Sequence, residues 1–319
     1  MVGNTGGTGI MDELQSTQDS APIVDLAGIC EIADGVWIIP DSHRIPLVPN
    51  IGIVEGKRSV LVIDTGMGPK NAEMVLNAAT KIANGRQLLL TITHFHPEHG
   101  FGHQAFAGKA TIFYNRKQRD ELRAKGPGYL AMFRGFGENV AKCLVGVEFV
   151  DPDLVYDGSA TIELGGREVE LIEMGPAHSL GDQVVWLPKE RIVFVGDLVE
   201  TRVFPIVPYF PPDDADVNGN KWIKVLRRIM ALKPKTVITG HGEIGGPELV
   251  EIAERYLTEM GQQVERLKNS GVSEDDIVAQ LGPMIRNKHP DWREPNWVES
   301  GIRCFYSTGY NAGATETTQ

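Results

Sequence analysis

Cysteine is scarce in this chain and odd in number: Cys30, Cys143 and Cys304 stand far apart, which excludes both a disulfide framework and a paired-cysteine metal site. No apolar run approaches the roughly 18 residues a membrane-spanning helix needs, and the opening MVGNTGGTGIMDELQSTQDS lacks the basic start and apolar middle of a secretory signal. A cytoplasmic location is therefore expected, or a periplasmic one if an export signal has been removed. Positive charge is in deficit, with 31 Lys and Arg against 42 Asp and Glu and a formal charge of -11. Nucleic acids and anionic membranes are recognised by clustered Lys and Arg, so neither is an expected partner and a small-molecule substrate is.

What is present is an ordinary globular composition, 42% hydrophobic and 23% charged over 319 residues, enough for one large α/β domain or two smaller ones. Residues 1–24 are rich in Gly, Thr, Ser, Asp and Gln and read as a flexible arm. Strand-like runs follow at 35–40, 51–56 and 59–66. Met74, Val75, Ala78 and Ile82 recur at helical spacing, Asn84-Gly85 supplies a stop, and the apolar strand LLLTITH (88–94) comes next. A second such passage runs through the strand at 111–115 and a helical stretch over 116–142. Strands return at 160–166, 167–174, 183–188 and 191–197, with hairpin turns at Gly165-Gly166 and Lys189-Glu190. A long Pro- and Asp-rich loop (205–220) has the character of an active-site cover. A helix (221–232), a strand (236–240) and a helix from Pro247 to about Ser270 precede a tail that holds a short helix opened by Ser273. The expected organisation is an arm (1–24), a catalytic domain (25–270) and a C-terminal extension (271–319).

The densest chemistry is Thr93-His94-Phe95-His96-Pro97-Glu98-His99-Gly100, straight after the strand. Were the strand to stay extended through His96, the period of two would put His94 and His96 on one face, and the turn at Pro97 would return Glu98 and His99 toward them. Imidazole nitrogen and carboxylate oxygen are the donors zinc prefers, and a catalytic zinc takes three protein ligands and keeps one position open. Four converging donors exceed one such site. A single histidine is ordinarily a packed or surface residue, but three with an acid among them at the end of a buried strand point to metal.

This pattern resembles the HxHxDH signature of the metallo-β-lactamase superfamily, which is followed by a distant His, Asp and final His. The matching residues here are His94, His96 and His99, then His178 in GPAHSLGD, Asp197 in FVGD and His241 in ITGHG, with Asp64 in VIDTG as a supporting turn; together they span about 35–246, some two-thirds of the chain. The resemblance implies an α/β fold, a four-layer αββα sandwich, here with a C-terminal helical extension. It also implies that His94, His96 and His178 hold a first metal, that Glu98, His99 and His241 hold a second, and that Asp197 bridges them. Two zinc ions per chain are expected, iron and manganese being the other metals such donors accept. One residue departs from the pattern: Glu98 stands where the family usually has Asp, and its extra methylene alters how the second metal is held.

Two metals sharing a water promote hydrolysis without a nucleophilic Ser or Cys. The expected function is hydrolysis of a small ester, lactone or amide, with lactone or ester ahead of a β-lactam, and with Asp197 and Glu98 as the catalytic carboxylates. Tyr209 in the 205–220 loop is a candidate donor to an oxyanion, although packing of an aromatic lid explains Tyr209 and Phe210 equally well. The alternatives are a mononuclear iron dioxygenase of the persulfide type and a non-catalytic metal-binding member. A flavodiiron reading is disfavoured because His96 is present and no flavin domain follows. Elsewhere, His103 is expected on a helix surface rather than behind His99, Asp182 as a carboxylate supporting a ligand or a turn, and Asp213, Asp214 and Asp216 as solvated loop residues. Trp292 and Trp297 are expected to anchor the C-terminal segment or a dimer contact, and that segment offers a surface for a homodimer.

Overall fold

Alternation within short apolar runs decides the architecture. A computed structural model describes residues 20–41, 45–212 and 214–311. Its first half comprises β1 (Cys30–Ala33), β2 (Val36–Ile39), β3 (Ile51–Glu55), β4 (Ser59–Ile63), α1 (Gly68–Ala83), β5 (Gln87–Thr91), a single helical turn α2 (Pro97–Gly100), β6 (Ala110–Asn115), α3 (Arg116–Arg134), α4 (Glu138–Cys143) and β7 (Leu154–Tyr156). These strands form a seven-stranded sheet in sequence order, antiparallel from β1 to β4 and parallel from β4 to β7. The second half comprises β8 (Ser159–Glu163), β9 (Glu168–Glu173), β10 (Gln183–Leu187), β11 (Ile192–Gly196), α5 (Gly219–Ala231), β12 (Thr236–Thr239), α6 (Glu248–Asn269), α7 (Glu274–Lys288) and α8 (Trp297–Thr308). Its sheet has the order β12-β11-β10-β9-β8, with only the β11–β12 pair parallel.

The period of two sends successive side chains to opposite faces, and both sheets are apolar on both faces. Leu61 and Ile63 of β4, Val185 and Leu187 of β10 and Ile192 and Phe194 of β11 meet in a core between the sheets. Val60 and Val62 turn outward to α1 and α3, while Val184, Trp186, Val193 and Val195 turn outward to α5, α6, α7 and α8. Three cores separated by two sheets make the four-layer αββα sandwich. The C-terminal helices belong to the third of these cores: Ile277, Leu281, Val298, Ile302 and Phe305 are buried with Trp222 and Leu257.

Several expected elements differ in extent. Strand β5 ends at Thr91, so His94 and His96 stand on an irregular segment and strand alternation does not bring them together. The stretch 116–142 divides at Gly137, whose φ of 121° interrupts right-handed helix. The tail forms two helices, α7 and α8, rather than one short one, although Ser273 does cap the first. At the other end, residues 21–24 pack against the fold: Val24 N donates to Asn71 Oδ1 at 2.9 Å and Asn71 Nδ2 to Pro22 O at 2.8 Å. The remainder of the expected arm (1–19) and most of the polar tail (312–319) lie outside the described residues. Among the described residues no helix is long and apolar enough to cross a membrane.

This topology collects strand ends at one edge of the sandwich. The chain leaves β4 at Asp64, β5 just before Thr93, β11 at Asp197 and β12 just before His241. The β9–β10 connection carrying His178 lies at the same edge, because β10 runs antiparallel to β11.

Candidate metal centre

A strained turn organises the histidine-rich segment. Asp64 has a φ of 69°, a left-handed conformation that aspartate tolerates better than most residues. Its carboxylate accepts from Thr93 N at 2.6 Å and Thr93 Oγ1 at 2.8 Å and lies 2.9 Å from His99 Nδ1. Thr93 O in turn accepts from Gln183 N at 2.9 Å and Gln118 Nε2 at 3.1 Å. Side-chain clamps thus replace strand pairing beyond Thr91. His96 caps α2 with Pro97 at its first position, and that single turn carries Glu98 and His99.

Seven side chains converge in two interlocked groups: His94, His96, His178 and Asp197 form one, and Glu98, His99, His241 and Asp197 the other, all of them buried, with the ligand atoms of each group within 4.8 Å of one another. Asp197 divides its oxygens between them. Oδ2 lies 3.6 Å from His94 Nε2 and 3.7 Å from His178 Nε2, while Oδ1 lies 3.2 Å from His99 Nε2 and 3.8 Å from His241 Nε2. His178 Nε2 is 2.9 Å from His96 Nδ1. These separations bracket the roughly 3.3 Å edge of a tetrahedron with bonds of about 2.05 Å.

The residues fit a pair of cations on a second ground. Among the described residues, the buried side-chain atoms without a hydrogen-bond partner include His94 Nε2, Glu98 Oε2, His99 Nε2, Asp197 Oδ1 and His241 Nε2. A buried polar atom left unsatisfied costs about 1–3 kcal/mol, and so many within one cluster suit donors that a cation would satisfy. The opposite ring nitrogens are occupied: His178 Nδ1 lies 2.9 Å from Ile206 O, His241 Nδ1 3.2 Å from Val48 O, and His99 Nδ1 faces Asp64. Such contacts select the tautomer whose Nε2 lone pair faces the cluster.

The electrostatics follow from burial and crowding. Burial, reinforced by neighbouring imidazoles, holds His94 and His96 well below the ordinary histidine range, and burial lowers His178. Burial would also depress His99, but the carboxylates of Asp197 and Asp64 outweigh it and raise it. Burial raises Glu98, whereas for Asp197 the surrounding His99, His241 and His178 overcome burial and hold the carboxyl far down.

Two glycines leave the space this crowding requires. A Cβ on Gly240 would stand 1.9 Å from Asp197 Oδ1, and one on Gly196 would stand 2.7 Å from Thr93 Cβ. Asn50 secures the His241 loop by donating from Nδ2 to Thr239 O at 2.9 Å and Gly242 O at 2.8 Å. Asp182 accepts from Ser179 N and Ser179 Oγ, closing the turn beside His178, and burial pushes it up to about 7.

Other expectations need correction. His103 is fully buried rather than on a helix surface, with Nδ1 3.1 Å from Tyr114 Oη and Nε2 accepting from Val150 N at 3.1 Å. Asp214 and Asp216 are not merely solvated, since both pair with Lys125, at 3.0 and 2.7 Å; Asp213 lies outside the described residues. Tyr209 packs, half-buried, against the C-terminal core, the lid packing expected beside its candidate role as an oxyanion donor. Aromatic rings that do pack on the cluster include Tyr129, stacked on His96 with centroids 5.0 Å apart and an interplanar angle of 18°, and Trp222, edge-on to His178 at 5.5 Å. Neither Tyr129 nor Glu200, whose Oε2 accepts from Ile206 N at 3.0 Å, stands out in the sequence. Trp292 and Trp297 do anchor the C-terminal segment, against Phe204 and Phe210 respectively.

Comparison with known proteins agrees with this architecture. A family model described as the metallo-beta-lactamase superfamily matches residues 44–241. A metallo-beta-lactamase type 2 from Bacteroides fragilis is 26% identical over 248 residues, covering 73% of this chain and 86% of that protein. An acyl-coenzyme A thioesterase, MBLAC2, from Bos taurus is 27% identical over 257 residues, covering 72% and 86%. Among solved structures, a metallo-beta-lactamase from Pontibacter korlensis superposes with a TM-score of 0.57 at 20% identity, covering 72% of this chain and 97% of that one, a likeness of fold.

Proposed function

The chain belongs to the metallo-beta-lactamase superfamily, and we propose that it is a dinuclear, zinc-dependent hydrolase of a small ester, lactone or amide. The observation that carries this reading is the division of Asp197, one carboxylate oxygen facing each group of buried histidines. The names of the two relatives above, a β-lactamase and a thioesterase, support an acyl bond as the target.

His94, His96 and His178 would hold one cation and Glu98, His99 and His241 the other, with Asp197 between them. Such a pair, when bound, supplies Lewis acidity toward a substrate oxygen and lowers the pKa of a shared water. The protein's own residues do the positioning. Asp64 fixes the tautomer of His99, and the carbonyls of Ile206 and Val48 fix His178 and His241. Glu98 reaches the second group through its longer side chain, so the departure from Asp is accommodated without losing a donor.

The test pairs elemental analysis with a hydrolysis screen over lactones, aryl esters, thioesters and a chromogenic β-lactam. Near two zinc ions per chain and turnover of one class are expected. His96→Ala should lose metal and activity together, while His289→Ala, stacked on Trp292 away from the cluster, should lose neither. One iron per chain with oxygen consumption, or metal without turnover of any class, would replace this reading with the dioxygenase or the non-catalytic one.

A further inference from the structure

One face of α3 is polar where it is buried. Gln118, Glu121, Lys125 and Tyr129 succeed one another at three- and four-residue steps and so share a face. Gln118, Glu121 and Tyr129 are buried, and the Lys125 side chain is only 17% exposed. Each reaches a different segment of the centre. Gln118 Nε2 donates to Ile92 O at 2.8 Å and Thr93 O at 3.1 Å, at the root of the histidine-rich segment. Glu121 accepts from Leu180 N at 3.2 Å and Gly181 N at 2.8 Å, in the turn after His178. Lys125 pairs with Glu121 at 3.1 Å and with Asp214 and Asp216. Tyr129 lays its ring on His96 while its hydroxyl donates to Asp214 Oδ2 at 2.8 Å.

Asp214 lies near the end of the 203–217 loop, whose beginning also meets the centre. Ile206 O faces His178 Nδ1, Ser300 Oγ of α8 donates to Val207 O, and Phe210 packs on Trp297. The loop therefore runs from His178 at one end to the ring on His96 at the other, held by α8 on one side and α3 on the opposite side. Apolar partners would join α3 to the loop without desolvating an ammonium. A charged, directional set specifies a single register instead.

We propose that Lys125 and Tyr129 are positioning residues that tie the 203–217 loop to His96, making the loop a fixed wall over the first ligand group whose release disturbs that group. The proposal rests on the preceding reading only in taking the two groups to bind metal.

The experiment compares the full-length chain with Tyr129→Phe, which keeps the ring and loses only the hydroxyl, and with Lys125→Met, each loaded with cobalt. Two quantities are read: backbone hydrogen exchange across 203–217 and the visible absorption of the bound cobalt. Tyr129→Phe should show exchange about ten-fold faster in the loop, the change expected for losing one hydrogen bond to a charged acceptor, and Lys125→Met, which loses its contacts to both Asp214 and Asp216, at least as much, with α1 unchanged in each. Both should also shift the cobalt bands. Loop exchange equal to wild type in a folded variant would overturn the tie, and faster exchange with unaltered bands would overturn its link to the ligands. Should Lys125→Met not fold, Tyr129→Phe decides alone. A wild-type chain that binds no cobalt would defeat the metal reading itself, and the exchange measurement would still decide whether the tie exists.

Discussion

Gly240 shows how little room single residues leave at the centre. With a Cβ due 1.9 Å from Asp197 Oδ1, Gly240→Ala must displace the carboxylate that both ligand groups share. We expect metal content to fall and hydrolysis to drop by at least about 100-fold, since a displacement on the order of 1 Å costs that much. Gly128→Ala is the contrasting case: its Cβ would meet nothing within 4 Å on an exposed turn of α3, and it should stabilise the chain by about 0.5–1 kcal/mol, read as a raised melting temperature with activity unchanged. Ligand identity was legible at this scale because His, Asp and Glu in such density carry their chemistry in their side chains. Gly240 stands in the sequence only as the residue before His241 in ITGHG, because a steric exclusion becomes visible only once Asp197 is placed beside it.

Among the elements, helix α7 had a readable start. Ser273 precedes Glu274, Asp275 and Asp276, and in the structure its side chain accepts from Asp276 N. Ser273→Ala should cost about 0.5–1 kcal/mol, measured as a lowered melting temperature with metal content unaffected, since α7 lies on the far side of the third core. Strand β5 was less legible at its end. Hydrophobicity continues through Ile92, but pairing stops at Thr91 because the Asp64 carboxylate and Gln118 take the polar groups of Thr93. The polar stripe of α3 was hidden for a different reason: Gln118, Glu121 and Lys125 have the spacing of a solvent-facing surface, and only their partners on three loops show that the face is inside.

Across the whole molecule, the candidate donors come from loops of both sheets, so a bound metal would tie the two halves of the sandwich together. A ligand that binds only the folded state stabilises it by about 4 kcal/mol at a thousand times its dissociation constant. Chelation should therefore lower the unfolding midpoint markedly, and added zinc should restore it; an unchanged midpoint would mean the cluster binds no metal. Global stability also depends on His103, which bridges Tyr114 and Val150 and is lowered by burial to about 4. Its folded value lies below the unfolded value of about 6.5, so its contribution is intact above that value and is lost as pH falls toward 4. Between pH 7 and pH 5 this amounts to about 2 kcal/mol. Denaturant titrations at the two pH values should show that loss, and His103→Gln should flatten the dependence.

The amino-acid sequence alone determined the run of strands and helices and the dense His and Glu segment at 94–99, through apolar patterning and residue chemistry, while the four layers and the remote donors His178, Asp197 and His241 followed from the family resemblance those residues carry. The tertiary structure decided which donors gather into each group, how Asp197 divides its oxygens between them, and which buried polar residues hold those side chains in place. Those depend on close approaches between segments far apart in the chain, such as Asp64 with His99 at 2.9 Å, Tyr129 with Asp214 at 2.8 Å and Gly240 against Asp197, and no local pattern of residues encodes a distance between remote strands.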